Sequence, residues 1–477
     1  MGQEIQTTAY REIDYRRFRQ HLSTETELLA KMVRQKAISE ALPVAGFEIE
    51  AWLLHDDMQP ASLNDAYLRT FNNPMAGPEL AKFNVELNTP QQALTANALS
   101  LMHQNLSATW RLAEQHARRM DLHLLMIGTL PTLRQHQLNL GNMSDMNRYR
   151  VLNQQVLETR GKPIVLDICG REHLRVEHHD VMLEAATTSF QLHIQCPLSV
   201  AHHVYNASMQ ASAAMVALCA NAPYLFGKDL WAETRIPMFE QAIALGGYRG
   251  AAEGPLHRVS FGSDYARQSI LECFVENLQH FPILLPESFD DDAAAFSHLR
   301  LHNGTIWRWN RPLVGFDEDG TPHIRIEHRV PAAGPTVLDT IANAAFFYGL
   351  VKNLADQRAE GQADLPFSQA KDNFYQAARH GLDCHVVWFS EHKQRLAALI
   401  QNELLPRAET GLKSLGISDD DANSYLEVIR QRLANQQTGS NWQRRFIKAN
   451  PGDFSGLTRL YLQLQRQGAE VAGWKAP

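Results

Sequence analysis

The chain is expected to fold as an α+β domain, a largely antiparallel sheet with helices outside it. Three observations carry that expectation. Four short segments alternate apolar and polar residues: Phe47-Glu48-Ile49-Glu50-Ala51, Phe83-Asn84-Val85-Glu86-Leu87-Asn88, Ser189-Phe190-Gln191-Leu192-His193-Ile194-Gln195 and Ile324-Arg325-Ile326-Glu327-His328-Arg329. Between them lie long apolar stretches of helical length, at 91–120, 199–221 and 336–355. After about residue 360 strand signals thin out and helical periodicity takes over.

Taken in order, residues 14–41 are charged with intermittent Leu22, Leu28, Leu29, Met32 and Val33, and read as an opening helix. A strand follows from Phe47 to Leu54, and Asp56-Asp57 begins a turn. The stretch 91–120 carries Leu94, Leu99, Met102, Leu106 and Leu112 without a proline, and predicts a long helix. Leu122 to Gly128 reads as an apolar strand stopped by Pro131, and 199–221, rich in Ala, Val and Met, as a buried helix ending near Pro223. Gly304 to Arg311 alternates and predicts a strand with Trp307 and Trp309 on one face. Phe316-Asp317-Glu318-Asp319-Gly320 is a turn leading into the fourth alternating segment. The stretch 336–355 predicts another apolar helix. The segment 386–471 is frequent in Gln and Arg, as in Arg430-Gln431-Arg432. It predicts a helical extension over 386–477, packed on a main domain of residues 1–385.

Composition narrows the function classes. The chain has 477 residues, 44% of them hydrophobic, so it can bury a sizeable core. A formal net charge of −7 argues against a dominant nucleic-acid footprint. The five cysteines, Cys169, Cys196, Cys219, Cys273 and Cys384, are scattered and form no CxxC. They argue against a disulfide framework or a zinc site and for a reducing cytoplasm. Residues 1–15 lack the apolar run of a signal peptide, and no stretch has the length of a membrane helix. A soluble cytoplasmic protein is expected.

Strand geometry sorts the polar residues. Side chains alternate between faces, so Glu48 and Glu50 share one face, as do Asn84, Glu86 and Asn88, then Gln191 and His193, then Arg325, Glu327 and Arg329. Either these faces are merely solvated, or together they cradle hard cations and an anionic substrate. Mg²⁺ prefers carboxylate oxygens and commonly shares its shell with phosphates.

Seven pieces taken in order and spacing resemble a known family: GFEIEAWL at 46–53, FNVELNTP at 83–90, TSFQLHIQ at 188–195, APYLFGKDLWAETRIPMFE at 222–240, LHNGTIWRWNRP at 301–312, IRIEHR at 324–329 and AARHGLD at 377–383. Over roughly residues 40–385 the chain resembles the glutamate–cysteine ligase type 2 group, carboxylate–amine ligases related in fold to glutamine synthetase. The resemblance implies an open, funnel-like antiparallel sheet with the active site on its concave polar face, and makes 1–385 the catalytic domain. It implies ATP and Mg²⁺, with Mn²⁺ as a substitute, and activation of a carboxylate as an acyl phosphate before an amine attacks. The chain has no GxxxxGK[ST] loop, and its glycine cluster at 246–250 lacks the lysine and hydroxyl residue. Metals and arginines would therefore hold the phosphates.

The resemblance also implies roles. Glu48 and Glu50 match the metal-binding Glu-x-Glu, and Glu86 joins Glu50 at one metal. Glu79, in a Gly-Pro-Glu-Leu loop, either completes that site or is an ordinary exposed acid. His193 is the ligand at a second metal with Glu48 and Glu327. Gln191 either hydrogen-bonds substrate or packs as a polar wall. Arg235 either clamps an amino-acid carboxylate with its fork or makes a surface salt bridge. Arg329 meets the transferring phosphate or the substrate carboxylate, forming with Glu327 the catalytic pair. Arg300, Arg308 and Arg311 surround the 304–307 turn, and at least one faces ATP phosphate. Tyr149 lies beside the pocket, as wall or as site residue; Trp307 and Trp309 are core or contact residues. The pairs His178-His179 and His202-His203 lack partners at ligand spacing, and no cysteine reads as a nucleophile. The expected substrates are glutamate and an amine, cysteine first. The alternatives are ammonia or another small amine, or a metabolite sensor on a ligase scaffold. No nucleic-acid or membrane partner is expected, and self-association stays open.

Overall fold

The structure is a computed structural model that describes residues 4–7, 9–244, 257–390 and 392–475. The glycine cluster at 246–250 lies outside these residues. The strands, in chain order, are β1 (Val44–Leu54), β2 (Ala76–Pro78), β3 (Asn84–Asn88), β4 (Gln92–Ala93), β5 (His123–Leu125), β6 (Ile164–Cys169), β7 (His173–His178), β8 (Phe190–Cys196), β9 (Tyr224–Leu225), β10 (Lys228–Asp229), β11 (Asn310–Phe316), β12 (Pro322–His328), β13 (His385–Val387) and β14 (Lys393–Arg395). Eight of them form one open antiparallel sheet in the order β11-β12-β8-β1-β3-β2, with β4 and β5 paired to the two ends of β1. The pairs β6–β7, β9–β10 and β13–β14 are separate two-stranded sheets, the last interrupting the expected helical extension with a short strand, Lys393–Arg395.

The apolar face of the sheet rests on two long helices. Phe47, Ile49, Phe190, Leu192, Ile194, Ile324 and Ile326 are all buried, each such side chain contributing about 1.5–3 kcal/mol by leaving water. Behind them, helix Ala201–Leu218 is buried on nearly every side, as a core helix with apolar residues all round must be. Helix Val337–Ala359 lies beside it. From the latter, Tyr348 donates its hydroxyl to the carbonyls of Gly46 (3.2 Å) and His193 (3.4 Å), and Phe347 stacks on His328 with ring centroids 4.2 Å apart. The sheet therefore has one usable face, the polar one.

The helices after residue 385 are sewn to this core. Helices Val337–Ala359 and Leu405–Ser414 cross backbone to backbone, since a Cβ on Gly349 would lie 2.2 Å from the Ala408 carbonyl oxygen. Asp421 accepts hydrogen bonds from the Leu99 (2.9 Å) and Ser100 (3.0 Å) amides, satisfying the free N–H groups that open helix Ala98–Arg119. Arg432, 1% exposed, pairs with Asp339 at 2.8 Å. Among the described residues no helix is long and apolar enough to cross a membrane.

Several sequence expectations need their bounds corrected. The opening helix is Glu12–Arg34 and stops before Lys36, whose φ of 55° leaves helical space. The long helix begins at Ala98, because Gln92 and Ala93 pair with β1 instead. The expected strand from Gly304 to Arg311 is wrong through Trp309. Gly304 ends the helix Ser297–Gly304, and β11 begins only at Asn310. The reason lies in Arg311, whose Nη1 gathers the carbonyls of Asn303 (3.2 Å), Gly304 (3.4 Å) and Ile306 (3.3 Å). A guanidinium that satisfies the last carbonyls of a helix stabilises the helix end, and no strand alternation encodes it.

Candidate active site

Register places the polar residues in three rungs across the concave face. Arg311, Glu327, His193 and Gly46 face one another across β11, β12, β8 and β1. Gln191, Glu48 and Asn88 form the next rung, and Glu50 and Glu86 stand opposite each other in the third. Apart from Gly46 and Asn88, all line one cavity, together with Glu79, Arg148, Tyr149, Glu184, Arg235, Arg300, Arg325 and Arg329. The alternation read from the sequence thus brings Glu48, Glu50, Glu86, Gln191, His193, Glu327 and Arg329 to one place.

The rung of Glu327 is held tightly. Arg311 donates from Nε (2.8 Å) and Nη2 (3.1 Å) to its two oxygens, a bidentate clamp, and Arg329 Nη1 approaches at 3.4 Å. Burial pushes the carboxyl up, but the Arg311 and Arg329 charges outweigh it and hold Glu327 far below the usual carboxylate range. His193 Nε2 faces Glu48 at 3.5 Å and Glu327 at 4.0 Å. That nitrogen is buried and makes no hydrogen bond. Burial pushes the His193 pKa down despite both carboxylates, which disfavours the imidazolium in this site.

The other end of the face is an acid cluster. Glu50 accepts from the Ser189 amide (2.8 Å), the Ser189 hydroxyl (2.7 Å) and Gln191 Nε2 (2.8 Å). Glu86 accepts from Asn88 Nδ2 at 2.9 Å. Burial, then the charges of Glu50 and Glu86, push Glu79 well above the ordinary range, and it shares a hydrogen bond with Glu86. Burial and the Glu48 charge also raise Glu86. Buried carboxylates that raise one another's pKa repel as anions, and a divalent cation between them would relieve that repulsion. With the unpartnered His193 nitrogen, this donor set fits hard cations ligated by carboxylate oxygen and one imidazole.

Arg235 is 3% exposed, so it makes no surface salt bridge. Its Nη1 reaches Glu233 at 3.2 Å and the Val330 carbonyl at 3.1 Å, and Nη2 the Arg329 carbonyl at 3.4 Å. The guanidinium thus anchors the backbone beside Arg329 while its flank lines the cavity. Of the three arginines around the turn, Arg311 lies in the wall and Arg300 at the exposed rim, its guanidinium 5.6 Å from the Phe316 ring. Arg308 turns away, pairing with Glu276 and donating to Asn277 at 3.1 Å, and does not line the cavity. Tyr149 is 9% exposed, with its hydroxyl accepting from Arg148. Trp307 and Trp309 both line the cavity, and Trp309 Nε1 donates to Glu240 at 2.9 Å.

Three cavity residues went unassigned in the sequence. Arg325 was visible on the shared strand face; its guanidinium lies where a Cβ on Gly315 would come within 2.7 Å. Arg148 and Glu184 sit outside the sheet, on helix Asn147–Arg160 and the turn Val181–Ala186, where no alternation signals them. Burial, opposed by the Arg329 charge, pushes the Glu184 carboxyl up to about 7.

The comparisons with known proteins fit this geometry. The family model described as glutamate–cysteine ligase family 2 matches residues 44–467, through the sheet and into the helices beyond residue 385. A putative glutamate–cysteine ligase 2-2 from Nocardia farcinica is 33% identical over 130 residues, 27% of this chain and 33% of that protein. A putative glutamate–cysteine ligase 2-1 from a Mycobacterium species (strain KMS) is 24% identical over 272 residues, 55% of this chain and 60% of that one. The matched parts therefore span one third and 60% of these relatives. Among solved structures, the glutamate–cysteine ligase of Francisella tularensis in complex with AMP aligns over 92% of this chain and 91% of its own. The TM-score is 0.55 at 13% identity, which establishes a shared fold.

Proposed function

This chain belongs to glutamate–cysteine ligase family 2, and from that premise we propose that it is an ATP- and Mg²⁺-dependent ligase joining a carboxylate to an amine. The leading activity is γ-linkage of glutamate to cysteine through a γ-glutamyl phosphate. The observation that carries this reading is the juxtaposition of two acid-rich sites with guanidiniums on one buried concave face. Glu50, Glu79 and Glu86 would hold one cation, and Glu48, His193 and Glu327 the other. Such cations neutralise phosphate oxygens and offset the charge that spreads during phosphoryl transfer. The chain's own residues supply the rest. Arg329, fixed by Gln191 and Glu327, presents a guanidinium to the transferring phosphoryl group or the acid substrate. Arg311 keeps Glu327 ionised, and burial disfavours a charged His193 beside it. The aromatic wall of Phe239, Trp307 and Trp309 excludes water from the acyl phosphate.

The test is substrate-dependent ADP release with Mg²⁺, ATP, glutamate and cysteine, with mass spectrometry of the product. A γ-glutamylcysteine mass is expected. Turnover with ammonia or another amine but none with cysteine would keep the ligase and replace the acceptor. ATP and metal binding without turnover across a broad amine screen would point instead to a sensor.

Arg235→Lys supplies a second test. Lysine keeps the charge but lacks the planar fork that reaches Glu233 and the Val330 and Arg329 carbonyls from separate nitrogens. KM for the acid substrate should rise about 10-fold or more, the scale of one lost charged hydrogen bond, while ATP affinity stays nearly constant. Steady-state kinetics with unchanged KM and kcat would place Arg235 outside substrate binding.

A further inference from the structure

We propose a further metal-binding site, for a transition metal of zinc type, on the β6–β7 hairpin. It goes beyond the ligase reading and uses none of its residues. The hairpin pairs Cys169 directly with His173 and Asp167 with Arg175. Asp167 and Cys169, two apart on one strand, therefore share a face with His173. A carboxylate oxygen, the Cys169 Sγ and an imidazole nitrogen of His173 all lie within 4.8 Å of one another. Among the described residues no other group of three His, Cys, Asp or Glu side chains closes this far.

The backbone under the three ligands is braced. Gln241 bonds both sides of Asp167, accepting from its amide at 2.7 Å and donating to its carbonyl at 3.2 Å. The Cys169 carbonyl accepts from Trp231 Nε1 (2.9 Å) and Arg379 Nη2 (3.2 Å). Gly170 seats the hairpin tip on Leu230 so closely that a Cβ would lie 2.4 Å from its carbonyl carbon. The ligand side chains, by contrast, are free to adjust, with His173 55% and Asp167 39% exposed and Cys169 exposed. Ligands about 2.0–2.3 Å from a tetrahedral ion lie within about 4 Å of each other, so small side-chain rotations close the site. At present His173 Nε2 bonds Asp167 at 2.8 Å, and Arg175 approaches the second oxygen at 3.4 Å. A divalent cation would replace the proton on the first contact, and the Cys169 thiol would release its proton to solvent. Thiolate plus imidazole selects zinc, cobalt or copper over Mg²⁺. Three protein ligands leave one position open to water or a small anion. The sequence pattern Asp-x-Cys-x₃-His carries no CxxC, which is why cysteine spacing argued against zinc.

The full-length, chelator-treated protein would be titrated with Co²⁺, reading the thiolate-to-cobalt charge-transfer band. The other four cysteines are buried, so the band reports Cys169. One equivalent is expected, with the band lost in Cys169→Ser and the affinity reduced at least about tenfold in His173→Gln. Excess Mg²⁺ should not displace the cobalt, and ADP release by Cys169→Ser should match the parent. No band in the parent protein, a band that survives in Cys169→Ser, or unchanged affinity in His173→Gln would overturn the site. None of these results bears on the ligase reading.

Discussion

Glu327→Gln is expected to lower turnover by about 100-fold or more, the scale on which one preorganised electrostatic contact acts in a dry site. Glutamine keeps the size and loses the charge. The proposed cation loses its anionic partner beside His193, and Arg311 loses one of its two acceptors, because an amide nitrogen cannot accept the second N–H. Both effects fall on one rung of the sheet, so the loss should appear in kcat and in the Mg²⁺ requirement together. Raising Mg²⁺ or substituting Mn²⁺ should restore part of the rate if affinity is the main deficit. His193→Ala and Glu48→Gln act on the same cation, so combining either with Glu327→Gln should cost less than the product of the single effects. A thermal melt recorded beside the kinetics separates this from unfolding, because Glu327 is 3% exposed and balances two guanidiniums. Near-parental turnover at limiting Mg²⁺ in a folded Glu327→Gln protein would remove Glu327 from the metal site.

What the sequence revealed of this site depends on which backbone carries each residue. Period-2 alternation is a local property, so Glu48, Glu50, Glu86, Gln191, His193, Glu327 and Arg329 could be placed on one face before any contact was known. Their pairing across strands could not, because register depends on turns far apart in the chain. Arg308 and Arg311 show the limit. Both lie in one short motif, yet Arg311 spans from a helix end to Glu327 while Arg308 turns into Glu276. The difference follows from where helix Ser297–Gly304 stops and β11 starts, a boundary that alternation through Trp307 and Trp309 disguised. Arg148 and Glu184 come from a helix and a turn that reach the cavity only through tertiary packing. Arg235 was legible as a motif arginine, a carboxylate clamp or a surface salt bridge, but its burial and its contacts with the Arg329 and Val330 carbonyls need the folded chain.

Arg432→Met should destabilise the protein by about 3–5 kcal/mol, the cost of leaving a buried charge without its partner. Asp339 is 0% exposed and Arg432 1%. Arg432 also donates to Asn343 Oδ1 (2.6 Å) and to the Leu218 carbonyl (3.0 Å), so one guanidinium joins three helices. Asp339 in turn accepts from the Thr336 hydroxyl (2.9 Å) and the Val471 amide (3.0 Å), near the end of the described chain. Methionine nearly fills the space and removes the charge, leaving an anion that hydroxyl and amide alone must satisfy. Against a total stability of about 5–15 kcal/mol, that loss should move the urea midpoint strongly. Adding Asp339→Asn should recover part of it, since the second change removes the stranded charge. Arg430→Ala, two residues away with a side chain 34% exposed, should cost no more than about 1 kcal/mol. Because Arg432 ties the helices after residue 385 to those beneath the sheet, the midpoint of the proposed ligase activity should fall together with that of the whole fold. An Arg432→Met protein whose activity and sheet unfold at the parental midpoint would show that these helices are an independent unit.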